Sequence, residues 1–230
     1  LKKITIAIDG FSSTGKSTLA KQLAKELEYV YVDTGAMYRA VAYFAMQHNL
    51  IGPDFFDKNA LIENLPKIQL EFKFNADLGF AEMYLNGENV EKQIRTIEVS
   101  SFVSKVAAVS EVRSKLVEQQ QEMGKNKAIV MDGRDIGTVV FPNAELKIFM
   151  TASAETRAQR RFDELQQKGD NVTYEEVLQN VVERDNLDTS REDSPLVIAE
   201  DAIEIDNSYL NKEEQFTAVL ELVNDVVKTT

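Results

Sequence analysis

Short apolar runs alternate along this chain with longer stretches of helical spacing. Runs at residues 4–8, 29–32, 128–131, 146–150 and 202–205 each end in polar residues and predict buried strands. Between most of them apolar positions recur three and four residues apart, as at Leu19, Leu23, Ala24 and Leu27, or at Val177, Leu178, Val181 and Val182. Such spacing predicts amphipathic helices. Alternating strands and helices build a parallel sheet covered on both faces, an α/β fold. Ligands of such sheets gather at the carboxyl ends of the strands. Here the residues following four of the runs include Gly10, Asp33-Thr34, Asp132-Gly133-Arg134-Asp135 and Asp206-Asn207-Ser208.

One region breaks the rhythm. Gln69-Leu70-Glu71-Phe72-Lys73-Phe74 alternates, Ala81-Glu82-Met83-Tyr84-Leu85 follows, and Asn75-Ala76-Asp77-Leu78-Gly79 and Asn86-Gly87 supply turn signals. These features predict a small antiparallel sheet. Residues 91–123 then space Val99, Val103, Val106 and Val109 for one or two amphipathic helices. An inserted subdomain is therefore expected at 64–126, within a core made of 1–63 and 127–230.

The first run leads directly into Gly10-Phe11-Ser12-Ser13-Thr14-Gly15-Lys16-Ser17-Thr18, the phosphate-loop pattern between a strand and a helix. Two glycines let the backbone curl so that successive N–H groups face one centre, and the helix opening at Lys16 adds the positive end of its dipole. Lys16 can reach the outer phosphates of a nucleoside triphosphate, and Ser17 can offer a hydroxyl to Mg2+.

Composition narrows the possible partners. The chain has 230 residues, no cysteine, one histidine (His48) and a net charge of −12. Disulfides and thiolate metal sites are excluded, and so large a negative charge argues against a nucleic-acid polymer or a membrane surface as partner. With no membrane-length apolar run and no basic-then-apolar leader, the expected compartment is the cytoplasm. Cations needed by a triphosphate come from arginines grouped in a few segments: Arg39, Arg113, Arg134, Arg157, Arg160, Arg161, Arg184 and Arg191. Arginine suits bidentate phosphate recognition, so this grouping points to a focused anion site on an acidic protein.

GTPase switches need Asp-x-x-Gly and Asn-Lys-x-Asp, and transport ATPases need Leu-Ser-Gly-Gly-Gln; none occurs here. A small phosphotransferase remains, with a second substrate held elsewhere. Asp33-Thr34-Gly35-Ala36-Met37-Tyr38-Arg39 offers a capped helix start and an arginine for an acceptor phosphate, although the motif alone equally describes an ordinary capped helix. Asp132, ending the run at 128–131, is placed to hold Mg2+, and Arg134 to bind phosphate. Arg184, Asp188 and Arg191 would share one helix face, as would Arg157 and Arg161.

Across nearly its whole length the sequence resembles bacterial cytidylate kinases. The resemblance is carried by the phosphate loop at 8–18, the Asp-Thr-Gly-Ala-Met-Tyr-Arg segment at 33–39, and Ser-Lys-Val-Ala-Ala at 104–108 with Val112-Arg113. It continues in Met-Asp-Gly-Arg-Asp-Ile-Gly-Thr-Val-Val-Phe-Pro at 131–142 and in Glu-Arg-Asp followed by Asp188 and Arg191. It implies a P-loop kinase with a parallel five-stranded sheet, a nucleoside-monophosphate-binding insert and a helical lid at about 156–195. The implied reaction moves the terminal phosphoryl group of ATP, with Mg2+, to CMP or dCMP. In that family pattern Ser104, Arg113 and Asp135 contact cytosine, and Thr34, Arg39 and Arg134 hold the acceptor phosphate. Arg184, Asp188 and Arg191 serve ribose and phosphate, Lys16, Arg134, Arg157 and Arg161 act on the transferring group, and Ser17 and Asp132 hold the metal. A monomer is expected. Phe11 departs from the proline common in related loops, and unlike proline it keeps a backbone N–H. A kinase for UMP, AMP or dTMP, or a non-catalytic nucleotide-binding module, would share many of these features.

Overall fold

The computed structural model describes residues 2–229. Strand β1 (Thr5–Gly10) leads to helix α1 (Lys16–Leu27), and β2 (Val30–Asp33) to α2 (Thr34–Gln47). A small hairpin, β3 (Ile51–Gly52) and β4 (Phe55–Phe56), precedes α3 (Lys58–Asn64) and the strands β5 (Leu70–Asn75), β6 (Phe80–Leu85) and β7 (Glu88–Asn89). Helices α4 (Ile97–Ala107) and α5 (Ser110–Met123) follow. The chain then forms β8 (Ile129–Asp132), β9 (Leu146–Thr151), α6 (Ala154–Gln167), α7 (Tyr174–Ser190), β10 (Ile203–Asp206) and α8 (Lys212–Thr229). By packing it divides into two compact units, one comprising the residues up to Tyr31 together with Gly124 onward, the other Val32–Met123.

The expected five-stranded sheet has the order β10-β9-β1-β8-β2. Strand β1 pairs in parallel with both β8 and β9, and β9 with β10. At the edge, the Val30 N–H donates to the Ala128 carbonyl at 2.9 Å. All of β1 is buried, because Ile6 and Ile8 share a core with Leu19 and Leu23 of α1 and Val219 and Val223 of α8. Burying each such side chain contributes roughly 1.5–3 kcal/mol. The central position of β1 sets the phosphate loop beside the carboxyl ends of β8 and β9. Helices α6 and α7 form the expected helical segment, joined through Gly169 at φ +84°. Thr173 and Glu176 make a reciprocal cap at the start of α7.

The second unit has its own core. Met37, Val41 and Phe44 of α2 pack with Met83 and Leu85 of β6, Val99, Val103 and Val106 of α4 and Leu116 of α5. Strands β5, β6 and β7 form the antiparallel sheet that alternation predicted, and Asn86 and Gly87 turn its chain with φ of 50° and 86°. Positive φ at both positions is what an Asn-Gly hairpin turn requires. The packing division begins at Val32, ahead of the insert boundary expected at 64, because α2 gives its apolar face to this second core.

Candidate active site

Backbone geometry shapes the loop between β1 and α1. Gly10 has φ +138°, and a Cβ there would stand 2.0 Å from the Met150 carbonyl oxygen, so only glycine lets the chain pass β9. Ser13 and Gly15 also take positive φ, 58° and 91°. Helix α1 then opens with Gly15 as its N-cap, no side-chain cap and no acidic residue in the first turn. Its dipole and first N–H groups therefore lack the carboxylate that commonly satisfies them. Thr14 Oγ1 and Lys16 Nζ both donate to the Phe11 carbonyl, at 3.0 and 2.6 Å. The Phe11 ring meets Phe149 edge-on at 6.0 Å and lies 5.1 Å from the Arg157 guanidinium.

Lys16 is buried. Burial pushes its ammonium down to about 7, helped by Arg134 and Arg184 and opposed by Asp132 and Asp9. Ser17 Oγ donates to Asp132 Oδ2 at 2.9 Å, and Tyr31 donates its hydroxyl to Oδ1 at 2.8 Å. A hydroxyl and a carboxylate at this separation are hard oxygen donors of the kind Mg2+ takes, so this pair fits the metal. Tyr31 was not among the expected residues.

Nor was Asp9. Its two carboxylate oxygens accept from the Ile136 and Gly137 N–H groups at 2.8 and 2.7 Å. Burial nevertheless pushes its pKa up to about 6, with Asp135 adding to the rise. The anchored segment continues as a wide turn, in which the Val140 N–H reaches the Asp135 carbonyl at 3.2 Å and the Phe141 N–H reaches the Ile136 carbonyl at 2.6 Å.

Several predicted cations converge on Asp188. Arg134 Nε donates to its Oδ2 at 2.8 Å. Burial alone would raise the Asp188 pKa, but Arg134, Arg184 and Arg191 together hold it below the ordinary carboxylate value. Arg191 lies just beyond the end of α7, with Nε donating to the Ser194 carbonyl at 2.7 Å. Arg157 and Arg161, expected to act together, have different partners. Arg157 is buried and grips Asp185 with two bonds of 3.0 and 2.5 Å, while its Nε donates to the Ala152 carbonyl at 2.9 Å. Arg161 pairs with Glu164 on its own helix at 3.0 Å.

In the second unit Asp33 caps α2 by accepting from the Ala36 N–H at 2.9 Å. Its other oxygen receives Arg39 at 2.9 Å and Arg95 at 2.8 Å. Burial opposes the charge, yet the two guanidiniums outweigh it and hold the carboxyl far below its usual range. Glu91 fixes Arg95 from the other side at 2.6 Å. Arg95 stood outside the arginine groups singled out in the sequence. Thr34 and Ser104 are buried, and so is Arg113, whose Nη1 donates to the Ala107 carbonyl at 3.0 Å and whose guanidinium lies 5.4 Å from the Tyr38 ring centre. The expected acceptor residues thus divide between units: Thr34, Arg39, Ser104 and Arg113 in the second, Arg134, Asp135, Arg184, Asp188 and Arg191 in the first.

The sequence profile described as cytidylate kinase matches residues 6–225. The chain belongs to the cytidylate kinase family. The cytidylate kinase of Flavobacterium johnsoniae is 91% identical over 228 residues, spanning 99% of each chain. That of Flavobacterium psychrophilum is 72% identical, over 98% of this chain and 100% of the relative, and that of Bacteroides fragilis 57% identical, over 94% of each. A crystal structure of an uncharacterized protein from Eubacterium ventriosum shares the fold at 11% identity and a TM-score of 0.51, covering 97% of this chain and 99% of that one. Family membership makes the chain a phosphotransferase of the nucleoside monophosphate kinase type. Among the described residues, no helix is long and apolar enough to cross a membrane.

Proposed function

We propose that this chain transfers the γ-phosphoryl group of ATP to CMP or dCMP, giving ADP and CDP or dCDP, in the cytoplasm. The observation that carries this reading is the buried Lys16 at an uncapped helix start, beside the Ser17–Asp132 pair and Arg134. An anionic triphosphate on the loop would restore the charge that burial disfavours on Lys16. Ser17 and Asp132 would hold Mg2+, which supplies positive charge to the donor phosphates.

In this reading residues 64–126 are the acceptor-binding insert and residues 156–195 the lid. Arg39 and Thr34 meet the acceptor phosphate at the start of α2, and Asp33 keeps the Arg39 guanidinium in place before any ligand arrives. Arg134 is held likewise by Asp188, so Arg134, Arg184 and Arg191 present oriented donors to phosphate and ribose. Asp135 accepts from the cytosine N4 amine, while Arg113 and Ser104 donate to the N3 and O2 acceptors. Uracil would set its O4 against Asp135, acceptor facing acceptor, and so be rejected. Lys16 and the arginines stabilise charge on the moving phosphoryl group during in-line transfer. No general base is needed, because the acceptor is already an ionised phosphate.

ADP formation with Mg-ATP against a panel of nucleoside monophosphates tests the proposal. CMP and dCMP should be the preferred acceptors, and Asp135→Ala should cost more with CMP than with UMP. Preference for another monophosphate, or no turnover with any, would sink it.

A further inference from the structure

Asn207, immediately after β10, is buried, and its side chain is engaged on both ends. Its Nδ2 donates to the Thr14 carbonyl of the phosphate loop and to Gln215 Oε1 of α8, the latter at 2.6 Å. Its Oδ1 accepts from Arg160 Nη1 of α6 at 3.0 Å. The backbone is held as well: the Asn207 N–H donates to the Thr151 carbonyl at 3.0 Å, and the Asn207 carbonyl accepts from Arg160 Nη2 at 2.8 Å. Only a primary amide supplies two donors at one end and an acceptor at the other in this volume. A trans peptide points its carbonyl and its N–H in opposite directions. Holding the Thr14 carbonyl on Asn207 therefore turns the Gly15 N–H away from Asn207.

We propose that Asn207 is a positioning residue for the phosphoryl donor, orienting the Thr14–Gly15 peptide so that the Gly15 N–H faces a bound triphosphate. Arg160 aligns the amide and thereby ties the phosphate loop to α6. This rests on the reading of the loop as the ATP site. Asn207→Asp tests it, since it preserves shape and pairs with Arg160 but offers Thr14 no donor. Calorimetric titration with Mg-ATP should show affinity about tenfold weaker or worse, the consequence of a buried carbonyl facing a carboxylate. The KM for ATP should rise in parallel, while the KM for CMP changes less than about twofold on the scale of that tenfold effect. Arg160→Met, which leaves the loop itself intact, should weaken ATP in the same direction by a smaller factor. ATP affinity like the native enzyme's in Asn207→Asp would overturn the proposal, as would equal losses for ATP and CMP. Should Asn207→Asp not fold, unchanged ATP affinity in Arg160→Met would overturn it. A native protein that gives no heat with ATP would instead remove the reading of the loop as the donor site.

Discussion

At the start of α1, Lys16 is buried with its charge disfavoured, whereas at the start of α2 the buried Asp33 has its charge held by Arg39 and Arg95. Helix α1 has no side-chain cap, while α2 is capped by that same Asp33. Two helix starts, each following a strand of the same sheet, therefore reach opposite electrostatic states. One is balanced by its guanidinium partners, whereas at the other Asp132 and Asp9 do not offset the burial of Lys16. A site completed in advance binds with little reorganisation. Under the proposed function, the α1 start would gain most from a bound triphosphate, and the ligand would then supply part of the stability.

Replacing the lysine should separate activity from stability most strongly. Lys16→Met is expected to lower kcat by on the order of 100–1,000-fold or more, the scale for removing a transition-state charge partner. It should also raise the melting temperature near neutral pH, because an apolar side chain replaces a cation whose burial its neighbouring carboxylates do not offset. A steady-state assay with thermal unfolding checks both, and a lowered melting temperature would contradict the contrast.

Asp33→Asn attacks the completed site. Breaking a buried pair costs about 3–5 kcal/mol, and the partial exposure of Arg39 and Arg95 reduces the expectation here to about 2 kcal/mol. The KM for CMP should rise because Arg39 loses its anchor. Urea unfolding and acceptor kinetics would show the effects.

Acid and alkali should distinguish the two starts by sign. The Asp33 carboxyl lies below its unfolded value of 3.8, so its stabilisation is full above that value and fades as pH falls through and below it. The gap in melting temperature between the native chain and Asp33→Asn should therefore narrow in acid. Lys16 lies at about 7 when folded and 10.5 when unfolded, so across that interval the unfolded chain binds more protons and native stability rises with pH. The advantage of Lys16→Met should shrink from pH 7 towards pH 10. Melting curves across both ranges provide the check.

The smallest effect concerns packing around the loop. Phe11→Leu removes an edge-on contact with Phe149 and a face for the Arg157 guanidinium, and should cost about 1 kcal/mol with little change in kcat.

The central strands β1, β8 and β9 were legible because buried parallel strands must be apolar almost throughout, the edge strands β2 and β10 are partly exposed and were marked by short apolar runs, and the phosphate loop was legible because positive φ restricts its residues to a recognisable pattern. The antiparallel insert was legible through its period of two and its Asn-Gly turn. Asp9, Tyr31, Arg95 and Asp185 were not picked out as site residues, for a common reason. Each is a single polar residue whose role comes from a distant partner, as far as 128 positions for Asp9 and Gly137. Periodicity carries no information about such pairs. Arg157 and Arg161 lie on one helix, α6, as their spacing predicted, but that spacing carried no information about their partners, Asp185 on α7 and Glu164 on α6.

Strand β1 has consequences for the order in which the protein is made. Its two neighbours, β8 and β9, begin at Ile129 and Leu146, so neither can pair with it until more than half the chain has left the ribosome. By then Val32–Met123, which has its own core, has already been synthesised as one continuous stretch. Translation thus delivers the second unit complete while the strand that starts the phosphate loop still waits for its sheet.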